Sequence, residues 1–249
     1  MKNLISDGKM NTKIGKNKNE LYYVHSLNLK PAETEINGKK YDLCPFRTQG
    51  CTNACVGKNG HFGMKNGSAY KAQVRRTTMY FTETKSFYEQ LNAEITLIKI
   101  KAKAKKSIAV IRLNAYSDIN HEKQSKRFLG MSIYDMHSDV IFYDYTKDKK
   151  KAKTNKAKNY FLTYSHNEDT SIEKTLSFLD IGINPAIVFE APIPKTYKGY
   201  PVFDGDQDDN RFLDPKGHII ALKFKGSKAK LLKGIASGFV ISQAELKSE

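Results

Sequence analysis

Apolar positions from Thr78 to about Lys103 recur every three or four residues, or at multiples of that spacing, at Phe81, Phe87, Leu91, Ile95 and Ile98, with Glu and Lys between them. That spacing predicts one long helix. Ile108 to Asn114 then reads as a short run with β-branched residues that turns polar at its end, the pattern of a buried strand. The alternation repeats downstream: a helix over Glu122 to Met136, a strand over Val140 to Tyr143, a lysine-rich helix or loop ending near Lys158, and a strand over Tyr160 to Tyr164. A helix over Ser171 to Leu179 is expected to stop at Gly182, and a strand over Ala186 to Phe189 follows. One earlier run, Leu21 to His25, is also strand-like.

Strands alternating with helices predict an α/β fold with a mostly parallel sheet. Right-handed crossovers leave two forms, a partial (βα) barrel or an open, doubly wound sheet, and the polar residues gathered at the strand ends favour the curled form. Beyond Pro192 the runs shorten to Tyr200–Phe203, His218–Phe224 and Gly238–Ile241, broken by Gly and Asp, which reads as a small β-rich C-terminal finish. The organisation expected is a basic arm over residues 1–30 and a single α/β domain over 31–249, with a cysteine-rich loop at 44–61.

Charge narrows the partner. The 249 residues carry 42 Lys and Arg against 26 Asp and Glu, a formal net charge of +16. Such an excess implies a polyanion, and nucleic acid is the first candidate. The lysines concentrate in two runs. One is Lys99, Lys101, Lys103, Lys105 and Lys106 at the end of the long helix; the other spans Lys147 to Lys158 and includes Lys149, Lys150, Lys151 and Lys153. Lysine supplies salt-sensitive attraction to phosphates, and Tyr22, Tyr23, Tyr143, Tyr145, Tyr160 and Tyr164 offer faces on which unpaired bases could stack, several of them belonging to the core instead. Unpaired bases favour RNA. Met1 to Gly8 lacks the apolar core of a signal peptide, and no stretch approaches the roughly 20 apolar residues of a membrane span, so the cytoplasm is the expected compartment and no membrane partner is expected.

The three cysteines, Cys44, Cys51 and Cys55, fall in one turn-rich segment. In a reducing compartment that grouping suits thiolate ligation of zinc or an iron-sulfur cluster better than a disulfide framework. His61 is the nearest candidate fourth ligand; the alternative is that the sulfurs pack as small apolar groups. The spacing is neither that of common zinc ribbons nor the usual three-cysteine loop of radical enzymes that use S-adenosylmethionine. Polar residues collect at the strand ends: Arg112, Asn114, Ser117 and Asp118, then Asp144 and Lys147, then Ser165 and Glu190. In parallel α/β sheets the carboxyl edge is where sites are built, although any strand leaving a core turns polar. Asp204, Asp206, Asp208, Asp209 and Asp214 surround Arg211; they either pair with that arginine and nearby lysines, hold a substrate amine or hydroxyl, or form a solvated turn. His121-Glu122 lacks the second histidine of a zinc-protease helix, and no phosphate-binding glycine loop or serine elbow occurs. His25, His137, His166 and His218 stand alone and read as surface or core residues.

The order of segments resembles a bacteriophage family, the gene-product-eighty-eight-like proteins. The likeness is carried by Cys44-Pro45 with Gly50-Cys51 and Cys55, by Arg112-Leu113-Asn114 with Ser117-Asp118, and by Tyr143-Asp144-Tyr145-Thr146-Lys147. It continues through Leu162-Thr163-Tyr164-Ser165 and from Asp204-Gly205-Asp206 to Arg211-Phe212-Leu213-Asp214. The resemblance implies a fold similar to a radical-enzyme barrel, Cys44, Cys51 and Cys55 as cluster ligands, and the polar strand ends facing them. S-adenosylmethionine would be the accompanying cofactor. A phage origin further implies counter-defence against a host nucleoprotein complex, of the anti-CRISPR type, as a competing role.

Overall fold

The computed structural model describes residues 2–8, 20–58 and 63–247. Chain order begins with strands β1 (Ile5–Asp7), β2 (Tyr22–Leu27), β3 (Glu33–Ile36) and β4 (Lys39–Asp42), then helices α1 (Gln49–Asn53), α2 (Ser68–Thr82) and α3 (Thr84–Ala104). Strand β5 (Ile108–Arg112) precedes α4 (His121–Leu129) and α5 (Ile133–Met136); β6 (Ile141–Thr146), α6 (Lys149–Thr154), β7 (Tyr160–Ser165), α7 (Ile172–Leu176) and β8 (Pro185–Phe189) follow. The chain finishes with β9 (Thr196–Tyr197), β10 (Tyr200–Asp204), β11 (Ile219–Lys223), α8 (Lys228–Ala236), β12 (Val240–Ile241) and α9 (Gln243–Lys247).

The protein is α/β, with a mostly parallel, open sheet of hydrogen-bonded order β1-β2-β5-β6-β7-β8-β11-β10-β9, and β12 also pairs with β8. From β2 to β8 the order advances one strand at a time and never reverses, unlike a doubly wound sheet, yet the sheet is open and does not close into the barrel that the strand ends favoured. The antiparallel exceptions are β1 on β2 and β9 on β10. Strand β5 keeps Ala109, Val110 and Ile111 buried in succession and β8 keeps Pro185, Ala186 and Ile187, as strands covered on both faces must. A second, two-stranded sheet pairs β3 with β4 across Asn37-Gly38, both at positive φ (52° and 74°), the turn that such a dipeptide favours.

Two compact units emerge. Residues 1–45, 57–144 and 155–161 make the first, and 46–56, 145–154 and 162–249 the second. In the first, α3 packs against α2, α4 and β5, burying Phe87, Tyr88, Leu91, Ile95 and Ile98. In the second, Leu176, Ile187, Phe189, Tyr197, Ile219, Ala221 and Ile241 form one apolar cluster.

Two expected helices are each divided. The helix expected from Thr78 is α2 plus α3, with a break at Glu83 (φ −136°, ψ 48°), and α2 begins ten residues earlier, at Ser68. Its buried face is largely polar, Gln73, Arg76 and Thr77 with Tyr80, so hydrophobic periodicity could not reveal it. Those groups serve the chain beside them: Gln73 donates to the Leu29 carbonyl (3.2 Å), and Thr77 accepts from the Lys30 N–H (2.9 Å). The helix expected over Glu122 to Met136 divides at Gly130, which sits at φ 80° and ends α4. The helix expected over Ser171 to Leu179 stops early, at Leu176 with Ser177 as its cap, and Gly182, at φ 76°, ends a separate 3-10 turn over Leu179–Ile181. The lysine-rich segment is a helix, α6, and the C-terminal finish contains α8 as well as strands. No helix among the described residues is long and apolar enough to cross a membrane.

Candidate functional site at the strand ends

In the first unit the loop leaving β5 is organised by Asn114. Its Oδ1 accepts from the Ser117 hydroxyl and the Ile119 N–H, both at 2.9 Å, while Nδ2 donates to the Ile119 carbonyl (3.1 Å) and to Asp144 Oδ2 (3.2 Å). Asp144, on β6 and fully buried, also accepts from the Asn114 N–H (2.7 Å) and the Tyr160 hydroxyl (3.0 Å). A buried carboxylate with so many donors locks three strands together. Burial, followed by the Asp144 charge, pushes the Tyr160 hydroxyl well above its ordinary pKa. The Tyr134 ring stacks on Tyr160 at 4.0 Å.

Cys44 lies against this same loop. Its thiol donates to the Tyr116 carbonyl (3.6 Å) and accepts from the Ala32 N–H (3.4 Å). The neighbouring Leu43 carbonyl takes the Asp118 N–H at 2.8 Å. Gly57 presses on the Tyr116 ring so closely that a Cβ there would sit 2.8 Å from Cδ1. The Arg112 guanidinium stands 5.9 Å over the Tyr143 ring.

In the second unit Cys51 sits in the first turn of α1, and Cys55 follows the helix. All three cysteines are partly exposed thiols. Thr48 caps α1 by accepting from the Cys51 N–H (3.3 Å) and donates its hydroxyl to Glu168 Oε2 (2.6 Å); Glu168 Oε1 accepts from the Gly50 N–H (2.5 Å). Gly50 has no room for a side chain: a Cβ would meet Phe239 Cβ at 2.6 Å and Glu168 Oε1 at 2.7 Å. Glu168 is three residues past β7, and the backbone before it is braced by Lys147. That ammonium donates to Ser165 Oγ (2.8 Å), the Ser165 carbonyl (3.4 Å) and the His166 carbonyl (2.7 Å). His166 Nδ1 lies 2.7 Å from Thr175 Oγ1, and burial, with Lys147 adding to it, lowers its pKa to about 4.

The acidic run joins β10 to β11 in the second unit. Asp206 takes the Lys225 ammonium (2.7 Å) and the Lys223 N–H (2.9 Å), while Asp204 faces Lys223 Nζ at 3.6 Å. The Arg211 side chain is wholly buried, with Asp214 at 3.3 Å, Asp208 at 3.6 Å and the Asp208 carbonyl at 2.7 Å. Burial opposes its charge, but Tyr145, Asp214, Asp209 and Asp208 together hold its pKa above the ordinary value. Arg211, Lys223 and Lys225 thus engage Asp204, Asp206, Asp208 and Asp214.

The lysine runs divide by environment. Lys99 pairs with Asp139 (2.6 Å), Lys105 lies 4.1 Å over the Tyr23 ring, and Lys147 is turned inward as above. Lys101, Lys103 and Lys106 at the end of α3, and Lys149 and Lys150 on α6, are exposed and make no ion pair among the described residues. Lys151 is half-buried, and Lys153 lies 5.3 Å over Phe178. Sequence reasoning passed over α8, whose Lys228, Lys230 and Lys233 are exposed and which packs against the cysteine-bearing α1. Ser227 ahead of a Lys-rich run was the available signal, since its side chain caps the helix by accepting from the Lys230 N–H. Of the tyrosines offered for stacking, Tyr143, Tyr160 and Tyr164 are core, so only Tyr22, Tyr23 and Tyr145 retain partial exposure.

His61 and residues 9–19 of the expected basic arm lie outside the described residues. Soft thiolates suit zinc or an iron-sulfur cluster. Among the described residues, however, no group of three or more His, Cys, Asp or Glu side chains is placed to hold a metal ion. The sequence model of a family described as Gene product 88 matches residues 4–243. No curated protein and no solved structure gave a match.

Proposed function

The chain belongs to the Gene product 88 family, and from that premise we propose that it is a phage-encoded protein that binds nucleic acid, RNA in preference, through its exposed lysines. The observation that carries this reading is the set of ammonium groups without acidic partners among the described residues, Lys101, Lys103, Lys106, Lys149 and Lys150, in a chain of formal charge +16. Unpaired exposed cations attract a phosphate backbone and release its counterions. The partly exposed Tyr22 and Tyr145 add faces for unpaired bases. For a phage protein, a host nucleoprotein complex is the partner such a surface fits, which would make the role counter-defence.

A second reading has its own support. Cys44 rests on the loop that follows β5, and separately the Cys51 helix is tied to Glu168 beyond β7. Strand carboxyl ends are where parallel α/β sheets build sites. These placements and the thiolate chemistry of the cysteines support an iron-sulfur enzyme, similar to the radical enzymes that use S-adenosylmethionine, that modifies a nucleic acid or nucleotide.

A salt titration against single-stranded RNA and DNA of equal length tests the binding reading, and iron and sulfide analysis of anaerobically purified protein separates it from the enzyme. Log affinity should fall linearly with log salt, by about 0.7 for each phosphate neutralised on a single strand. The triple variant Lys101→Glu, Lys103→Glu, Lys106→Glu should flatten that slope while leaving the fold intact. Affinity indifferent to salt, or to charge reversal on both α3 and α6, refutes the binding reading.

A further inference from the structure

The segment Lys2–Asp7 joins the sheet under an uncommon restraint. Strand β1 pairs antiparallel with β2, Ile5 opposite Leu27, Ser6 opposite Ser26 and Asp7 opposite His25. A tight hairpin would connect such strands with about two to five residues. Here residues 8–21 intervene, more chain than a tight hairpin uses.

Side chains of α2 and α3 hold the segment instead, and they hold it mainly by its backbone. Glu94 accepts from the Leu4 N–H (2.8 and 3.0 Å to its two oxygens) and from the Ile5 N–H (2.8 Å). Arg75 donates to the carbonyls of Lys2 (3.1 Å) and Asn3 (2.6 Å), and Gln90 donates to the Lys2 carbonyl (3.1 Å). Arg76 Nε donates to the Asn3 carbonyl (3.3 Å), and its terminal nitrogen donates to Ser6 Oγ (2.8 Å). Gln90 also donates to Glu94 Oε1 (2.7 Å), steadying the carboxylate. Beneath this polar clamp the Leu4 and Ile5 side chains are buried, at 0 % and 5 % exposure. Two adjacent aliphatic side chains and a stretch of extended backbone are what the clamp reads.

Arg76 makes the clamp costly to leave empty. It is buried, burial lowers its pKa to about 10, and the segment supplies its Asn3 and Ser6 acceptors. Removing the strand leaves that guanidinium without them, so the vacated groove favours any segment that restores them.

We propose that the outer edge of β2, with Arg75, Arg76, Gln90 and Glu94, is a binding site for an extended peptide, filled in each copy by its own first strand, and that the Lys2–Asp7 segment of a second copy is its other occupant. Backbone recognition does not distinguish a copy's own strand from its neighbour's, and fourteen residues of chain, 8–21, separate the two paired strands.

The test uses the full chain. The double variant Leu4→Asp, Ile5→Asp empties the groove, and a fluorescein-labelled peptide with the sequence of residues 2–8 should then bind it. Binding to the unmodified chain should be at least about a hundred-fold weaker, because the tethered strand competes at high effective concentration. Adding Glu94→Ala to the emptied variant should weaken the peptide by about a hundred-fold, two hydrogen bonds to a charged group being lost. A variant that stays folded yet ignores the peptide overturns the site. Should the double variant fail to fold, hydrogen exchange of the unmodified chain decides: the Leu4 and Ile5 amides should exchange through an opening that leaves Val110 protected, and exchange only together with Val110 overturns the proposal. Light scattering of the unmodified chain should reveal a dimer that grows with concentration and disappears with Glu94→Ala. A monomer at every concentration refutes the second copy as occupant.

Discussion

Replacing Glu168 by Ala removes two acceptors from a five-residue helix. The carboxylate takes the Gly50 N–H at 2.5 Å and the Thr48 hydroxyl at 2.6 Å, and Thr48 in turn caps α1 through the Cys51 N–H. A hydrogen bond to a charged group contributes about 1.5–3 kcal/mol net, and Glu168 is only half-buried, so the lower figure applies to each. The loss is therefore about 3 kcal/mol. So short a helix has little stability of its own, and the loss should appear as local opening of α1 before global unfolding. An opening made about 3 kcal/mol easier raises alkylation of Cys51 roughly a hundred-fold where labelling proceeds through it. Site-resolved iodoacetamide labelling read by mass spectrometry measures this, with Cys44, held by Ala32 and Tyr116, as the internal control. Glu168→Gln keeps one carbonyl oxygen for Gly50, and the Thr48 hydroxyl can turn to accept from its amide, so about half of the effect is expected. Unchanged Cys51 labelling in Glu168→Ala refutes the reasoning, as does equal acceleration of Cys44, which would indicate global loosening.

Three further outcomes are expected. His166 and His137 are buried with pKa values lowered to about 4, burial being the larger cause in each and Lys147 or Lys99 the next. Between about pH 6.5 and 4 the unfolded chain binds protons that the folded chain refuses, so stability should be lost as the pH is lowered through that window, by up to about 1.4 kcal/mol per pH unit for each histidine. Urea midpoints against pH test this, and His166→Gln should reduce the slope. Gly205→Ala should cost about 1–3 kcal/mol in calorimetry, because its Cβ would stand 2.5 Å from Ile220 Cγ2, 2.6 Å from an Arg211 nitrogen and 3.1 Å from the Ala221 carbonyl. Under the metal-enzyme reading, anaerobically purified protein should carry iron and sulfide, or zinc, that Cys51→Ser removes; a metal-free preparation that is folded and active would remove that reading.

The central strands were legible because burial on both faces writes itself as an uninterrupted apolar run, as in Ile108–Arg112 and Pro185–Phe189. The polar-faced α2 left no such trace. The Asn37-Gly38 hairpin carries a turn signal in its dipeptide, flanked by strands of only four residues, and β1 is too short for any pattern. At the candidate site, the sequence pointed to Asn114 and Asp144, but only coordinates reveal that they bond to each other. Charge counting likewise treats Lys99, Lys105 and Lys147 as equal to Lys101, whereas a carboxylate, a ring and a pair of backbone carbonyls occupy the first three. A lysine's availability depends on neighbours distant in the chain.

The three-residue β1 has a bearing on handling the protein. While it stays in place, it covers the His25–Leu27 half of the six-residue β2; once it lifts, unmatched amides and carbonyls there face solvent, and such a row templates assembly. Solutions kept warm or concentrated should therefore turn cloudy at a rate set by how tightly Glu94 and the two arginines grip a few residues, well below the temperature at which the interior melts.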